Sequence, residues 1–211
     1  MRSNDRKAVK NPNHPPKGSS IRVDPIRSLE VIEAIKRNLD TKPRDHCLFT
    51  LGINTGLRAN ELLSLTVGQV AHAQPGRQVA LKQSKTNAYR TVFLNNNCAE
   101  AIRSWLDSHP MPDAATPLFL SRKRLRGLGG MKSLSVPTVT GMVKEWCALS
   151  HAHGNFGSHS LRKTWGYHQR ITNKASVALL MRAFGHKSEA QTLNYLGIED
   201  DEIRKLYELE L

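Results

Sequence analysis

The chain has 211 residues, enough for one domain or at most two small ones, and can bury a core without disulfide or metal staples. Its 31 Lys and Arg against 18 Asp and Glu give a formal charge of +13 and a pI near 10.0. So basic a balance points to a polyanion, nucleic acid first. No run approaches the ~20 apolar residues of a membrane-spanning helix, and no apolar core marks a secretory leader. The expected setting is the cytoplasm, with no membrane partner. Cys47, Cys98 and Cys147 are odd in number and widely spaced, with no CxxC, so reduced thiols are expected.

Residues 1–24 carry six Lys or Arg and little that is apolar, and read as a flexible basic arm. Order is expected to begin near Pro25. "SLEVIEAIKRNL" places Leu29, Ile32, Ile35 and Leu39 on one helical face. Pro43 opens a second helix that Gly56 stops, and "ANELLSL" starts a short third one. "QVALKQ" and "YRTVFL" are β-prone runs flanking the turn "SKTNA", which together predict a hairpin. A helix with an Asn cap follows in "NNNCAEAIRSWLDSH". "PLFLSRKRLRGLGGMKSLS" reads as a short apolar run, then a basic, Gly-rich loop. "VPTVTGMVKEWCALS" is helical, and helices are expected near 159–172, 174–184 and 188–196. "DEIRKLYELEL" is expected to close the chain as a tail helix, with Ile203, Leu206, Tyr207 and Leu209 as an apolar stripe. The last thirteen residues carry −4, so residues 1–198 hold +17. The expected class is mostly α with one small antiparallel β-sheet (α+β).

Three stretches carry chemistry: "TGLRANEL" with Arg58 and Glu61, "HSLRKTWG" with His159 and Arg162, and "GHKSEAQTLNY" with His186 and Tyr195. Lys85, in the hairpin turn "QSKTN", is a fourth candidate, preferred over Lys82. His159 and Arg162, at i and i+3, share one helical face. In order and context these stretches resemble the tyrosine recombinases, the phage-integrase family, over residues 25–211. The family pattern is an Arg in T-G-x-R-x-x-E-L, a hairpin Lys, H-x-x-R, G-H, and a Tyr nine residues on.

The resemblance implies that Tyr195 attacks a DNA phosphorus and becomes a 3′-phosphotyrosyl link, needing no metal and no ATP. Arg58 and Arg162 would hold the non-bridging oxygens, and Lys85 would protonate the leaving 5′-oxygen. His159 would move a proton, His186 would hydrogen-bond the phosphate, and Glu61 would orient Arg58. Further DNA contacts are expected from Lys82, Thr86 and Arg90 around the hairpin, Arg122, Lys123 and Arg124 in the basic run, and Lys163 and Lys187 beside the motifs. The family also implies double-stranded DNA as partner, a tetramer on two duplexes, accessory DNA-bending proteins, a bacterial or phage origin and a nucleoid location. Most members carry a helical clamp ahead of this domain. That clamp is expected to be missing here, either naturally or because the chain is a fragment.

Rival readings have named residues too. A type IB topoisomerase-like relaxer uses the same nucleophile and arginines on one duplex. A regulator on the same fold binds DNA without cutting it. His151, His153 and His159 bunch together, but without carboxylates or cysteines at ligand spacing. Acids 199–202 lie in the tail, away from the basic motifs, so neither zinc nor two-metal chemistry is expected.

Overall fold

A computed structural model describes residues 22–82, 89–111, 113–124, 131–197, 204, 207, 208 and 210; the side chains of 82, 89, 122–124 and 131 fall outside that description. Among the described residues the order is α1 (Leu29–Asn38), α2 (Pro43–Thr55), α3 (Ala59–Leu63), α4 (Val67–Val70), β1 (Gln78–Lys82), β2 (Tyr89–Phe93), α5 (Asn96–Asp107), β3 (Leu120–Arg124), β4 (Met131–Ser133), α6 (Val136–Leu149), α7 (Ser158–Ile171), α8 (Val177–Phe184) and α9 (Glu189–Leu196). The class is mostly helical with small antiparallel sheet, as the sequence led us to expect. No helix here is long and apolar enough to cross a membrane.

Local signals set the boundaries. Ser28, Asn95, Ser135, Ser176 and Ser188 cap α1, α5, α6, α8 and α9 by accepting a backbone N–H two or three residues into each helix. Pro43 starts α2, and Gly56 ends it in the left-handed region at φ 60°. A Cβ at Gly56 would also lie 2.5 Å from Trp165 Cε3, so packing and backbone both require glycine there.

α2 is the axle of the core. Cys47, Leu48, Phe49, Thr50, Leu51, Gly52 and Thr55 are buried on it, and it packs against α5 and α7. Phe49 meets Trp146 of α6 edge to face, with centroids 5.8 Å apart. The three cysteines are free and buried. Burial pushes the Cys98 thiol up to about 11 and that of Cys147 to about 12.

Three expectations need correction. Leu29 is 55% exposed, while Ile32, Ile35 and Leu39 are buried; it sits on the first turn of α1, ahead of the surface the helix covers. The basic run after Phe119 is not simply a loop, because β3 and β4 pair antiparallel there, with Leu120 opposite Ser133 and Arg124 opposite Met131. The sheet is therefore two separate hairpins, β1–β2 and β3–β4. In the first, Val79, Leu81 and Val92 alternate inward while Gln78, Ala80, Thr91 and Phe93 face out. Residues 1–21 of the basic arm and most of the expected tail helix lie outside the described residues. Of its apolar stripe only Tyr207 is described, at 86% exposed.

Candidate active site

The site is assembled where the turn from α2 into α3, α7 and the α8–α9 corner meet. Arg58, two residues past Gly56, caps α3. Its backbone N–H donates to Glu61 Oε2 at 2.7 Å, and its Nη1 to Glu61 Oε1 at 3.0 Å. Its side chain stays 44% exposed, so part of the fork is open to an incoming anion. Arg162 is 3% exposed on α7. Its Nη1 makes a short hydrogen bond to Gly56 O, and its Nη2 donates to Phe184 O at 2.8 Å. The guanidinium also lies over the Phe184 ring, 4.5 Å from the centroid. Burial first, then the Arg90 charge, bring it down to about 10, still cationic at neutral pH.

Glu61 is the anion among these cations. It is almost buried and accepts from Arg58 and, at 3.0 Å, from Arg90 Nη1. Burial raises its carboxyl, but the Arg58 amide, Arg90 and the Arg58 side chain together hold it below the ordinary value. Arg90 was expected on the DNA face. Its side chain is instead 14% exposed and reaches inward to Glu61 and to Gly56 O at 3.1 Å. It braces both arginines rather than presenting its charge to solvent.

His159 and Arg162 share α7 as the i, i+3 spacing requires. His159 is exposed on the first turn. Partial desolvation, then the charges of Arg162, Lys163 and Arg58, depress its imidazole below the ordinary value, favouring the neutral ring. His186 follows Gly185, whose left-handed turn at φ 67° ends α8. Its ring stacks on Phe184 at 5.0 Å and meets Tyr195 edge-on at 5.1 Å. Thr192 Oγ1 pairs with its Nδ1 at 3.0 Å. Desolvation, Arg162 and Arg58 lower His186 as well.

Tyr195 lies on α9, one turn beyond Thr192. Its ring contacts Phe184 and His186, and the Lys163 ammonium sits 5.1 Å from its centroid. Its hydroxyl is buried and makes no well-formed hydrogen bond among the described residues, although the Arg162 guanidinium lies close enough to interact with it. Burial raises the phenol above its ordinary value; Arg162 and Arg58 oppose that rise. A close approach makes this possible: a Cβ at Gly166 would lie 2.4 Å from Phe184 and 2.6 Å from Leu196, so α8 and α9 need glycine on α7.

Arg58, Glu61, His159, Arg162, His186 and Tyr195 thus share one neighbourhood drawn from α3, α7 and the α8–α9 corner. Lys163 belongs to it, 5% exposed beneath Tyr195. Lys187 is exposed beside it. Lys85 and Thr86 lie outside the described residues, as do the side chains of Lys82, Arg122, Lys123 and Arg124. Phe184 and Thr192 were not anticipated. The sequence offered one usable hint, the spacing that puts Thr192 one helical turn before Tyr195. Among the described residues no three His, Cys, Asp or Glu side chains converge as a metal site would need.

Comparison with known proteins identifies the family and the fold. The profile of the Phage integrase family matches residues 27–202. The chain is 30% identical over 188 residues to the probable integrase/recombinase YoeC of Bacillus subtilis (strain 168), covering 89% of this chain and 96% of that protein. It is 27% identical to the tyrosine recombinase XerC of Caldanaerobacter subterraneus, covering 88% of this chain but only 51% of that relative, about half its length. A solved structure of XerH site-specific recombinase bound to palindromic difH substrate, a post-cleavage complex, superposes with a TM-score of 0.68 at 19% identity, over 90% of this chain and 54% of that one. The last is an agreement in fold. By its family profile and its relatives, the chain belongs to the phage integrase family, the tyrosine recombinases, enzymes that break and rejoin DNA in site-specific recombination.

Proposed function

We propose that this chain cuts and reseals double-stranded DNA through a phosphotyrosyl intermediate on Tyr195. The observation that carries the reading is the meeting of one phenol, one imidazole and two guanidiniums around Phe184, with His159 one turn from Arg162 on α7. The phenolic oxygen attacks phosphorus, the P–O5′ bond breaks, and the DNA 3′-phosphate becomes joined to Tyr195. The phenol proton passes to neutral His159. The leaving 5′-oxygen takes a proton from Lys85. Arg58 and Arg162 oppose the charge on the non-bridging oxygens, a role whose loss typically costs ~10²–10³ in rate. His186 hydrogen-bonds the same phosphate through its second nitrogen, the first being turned to Thr192. The 5′-hydroxyl of a partner duplex then reverses the step, so no bond energy is lost.

A basic surface with a charge of +13 supports binding to the DNA backbone. Lys187, exposed beside the site, is placed to contribute, and Lys82, Thr86, Arg122, Lys123 and Arg124 remain candidates from the sequence. Exchange between two duplexes calls for four protomers, with accessory DNA-bending proteins arranging the sites. The setting is the cytoplasm of a bacterium, at the nucleoid.

The test is covalent trapping. Purified protein is mixed with fragmented bacterial DNA and quenched with detergent, with Tyr195→Phe in parallel. An adduct in the wild type alone supports the reading. An adduct in both proteins, or DNA binding without any adduct, contradicts it. Plasmid relaxation without recombinant product would move the activity to a single-duplex relaxer.

A further inference from the structure

The two ring nitrogens of His186 differ in their surroundings. Nδ1 lies 3.0 Å from Thr192 Oγ1, whereas Nε2 has no hydrogen-bond partner among the described residues. Packing restrains the ring in this orientation. It is stacked on Phe184, with 21° between the planes, and Tyr195 closes on it edge-on at 73°. Thr192 is fully buried, about one turn before Tyr195 on α9. The contact to Nδ1 therefore lies inside the corner, and Nε2 is the nitrogen left for a ligand.

Two proton arrangements satisfy that contact. In one, the Thr192 hydroxyl donates to Nδ1 and the ring hydrogen sits on Nε2. In the other, Nδ1–H donates to Oγ1, the hydroxyl turns to Ser188 O at 3.2 Å, and Nε2 is left as a bare acceptor. A hydroxyl has one hydrogen, so its choice of acceptor sets the tautomer of His186. Geometry favours the first arrangement. Nδ1 is the nearer acceptor, and Ser188 O already accepts the Thr192 backbone N–H at 3.2 Å. Charge makes the choice matter. Desolvation, then Arg162 and Arg58, lower the His186 imidazole below its ordinary value, so at neutral pH the ring has a single N–H to give. The non-bridging oxygens of a phosphate only accept. A donor at Nε2 fits them, and a lone pair there repels them.

We propose that Thr192 is a positioning residue: its hydroxyl donates to His186 Nδ1 and thereby holds the ring hydrogen on Nε2, where it serves the scissile phosphate. The phosphate then meets a ring already set to donate, with no proton uptake and no exchange of tautomers. The inference rests on the reading of this site as one that cleaves DNA, but its first readout needs no DNA.

The experiment compares wild type with Thr192→Val, which keeps the shape and removes the hydroxyl, and Thr192→Ser, which keeps a hydroxyl. The free proteins carry nitrogen-15 histidine, and the tautomer is read by NMR above the depressed His186 value, where the ring is neutral. The His186 signals are assigned by their loss in His186→Gln. Wild type and Thr192→Ser are expected to hold the hydrogen on Nε2, and Thr192→Val to show a mixture of the two tautomers. At saturating DNA, single-turnover adduct formation falls about tenfold in Thr192→Val, the size of one lost hydrogen bond to a charged group, and Thr192→Ser recovers most of it. A wild-type ring with its hydrogen on Nδ1 overturns the proposal. So does Thr192→Val with the wild-type tautomer, or with the wild-type rate of adduct formation. The expected tautomers with no adduct in any protein leave the Thr192 contact standing and overturn the DNA-cleaving reading.

Discussion

The two arginines and the tyrosine of this site stand on very different ground. Arg58 and Arg162 are rooted beside the main core: α2 and the first turns of α7 pack with Leu48, Phe49, Leu57, Leu62 and Leu161, all nearly inaccessible. Tyr195 and His186 ride on α8–α9, whose own buried cluster among the described residues is Leu180, Phe184 and Leu196, with Trp165, Tyr167, Ile171 and Ala175 partly buried against it. On the proposed roles, the groups that would hold a phosphate are fixed, and the group that would attack it is carried on a less deeply packed corner. Such a division suits an enzyme whose electrostatics must be preorganised while its nucleophile comes and goes. Regions with few buried contacts open locally at lower cost.

The largest effect expected from this contrast is Tyr195→Phe. It abolishes the covalent adduct and leaves thermal stability close to that of the wild type, since the buried hydroxyl it removes makes no well-formed hydrogen bond and only an approach to Arg162. Calorimetry beside the trapping assay checks both. Arg162→Ala comes next, on the rigid side. It lowers cleavage by ~10²–10³ and costs about 1–3 kcal/mol of stability, because Gly56 O and Phe184 O each lose one buried donor and keep only Arg90 and the longer bond from Arg58. Phe184→Ala weakens chiefly the α8–α9 side, though it also removes the ring beneath Arg162. A cavity of that size costs about 3–5 kcal/mol in a core, and here hydrogen exchange is expected to speed up in α8 and α9 while α2 stays protected.

A smaller effect is set by pH. Folding depresses His159 and His186 below the ordinary value of 6.5, so the folded protein binds fewer protons than the unfolded chain. Their stabilisation is present above that value and is lost as pH falls from it toward the depressed folded pKa. Single-turnover cleavage should hold level to below pH 6.5 and then drop as neutral His159 is protonated; His159→Gln removes that limb of the profile. The smallest effect belongs to Glu61→Gln, which keeps the shape and weakens the tie to Arg58 and Arg90. A cleavage loss of about tenfold with DNA binding unchanged is expected, read from the separation of rate and half-saturation.

The same contrast explains what the sequence disclosed. α2 was legible because Pro43 and Gly56 are strong local punctuation around a buried run. The H-x-x-R pair was legible because one helix carries both. The β3–β4 hairpin was hidden because its strands span only five and three residues and are rich in charge, with no apolar alternation to announce them. The tie from Arg90 to Glu61 was not legible because the two are 29 residues apart in the chain. Phe184 and Thr192 carry no motif; tertiary packing alone puts one under Arg162 and the other against His186.

The measurement that bears most directly on the account is the identity of the DNA-linked residue. The trapped complex is digested with protease and nuclease, and the modified peptide is sequenced by mass spectrometry. The account predicts a nucleotide joined through its 3′-phosphate to Tyr195, with a free 5′-hydroxyl on the other DNA end. A link on Tyr207 or Tyr167, or one through a 5′-phosphate, would contradict it.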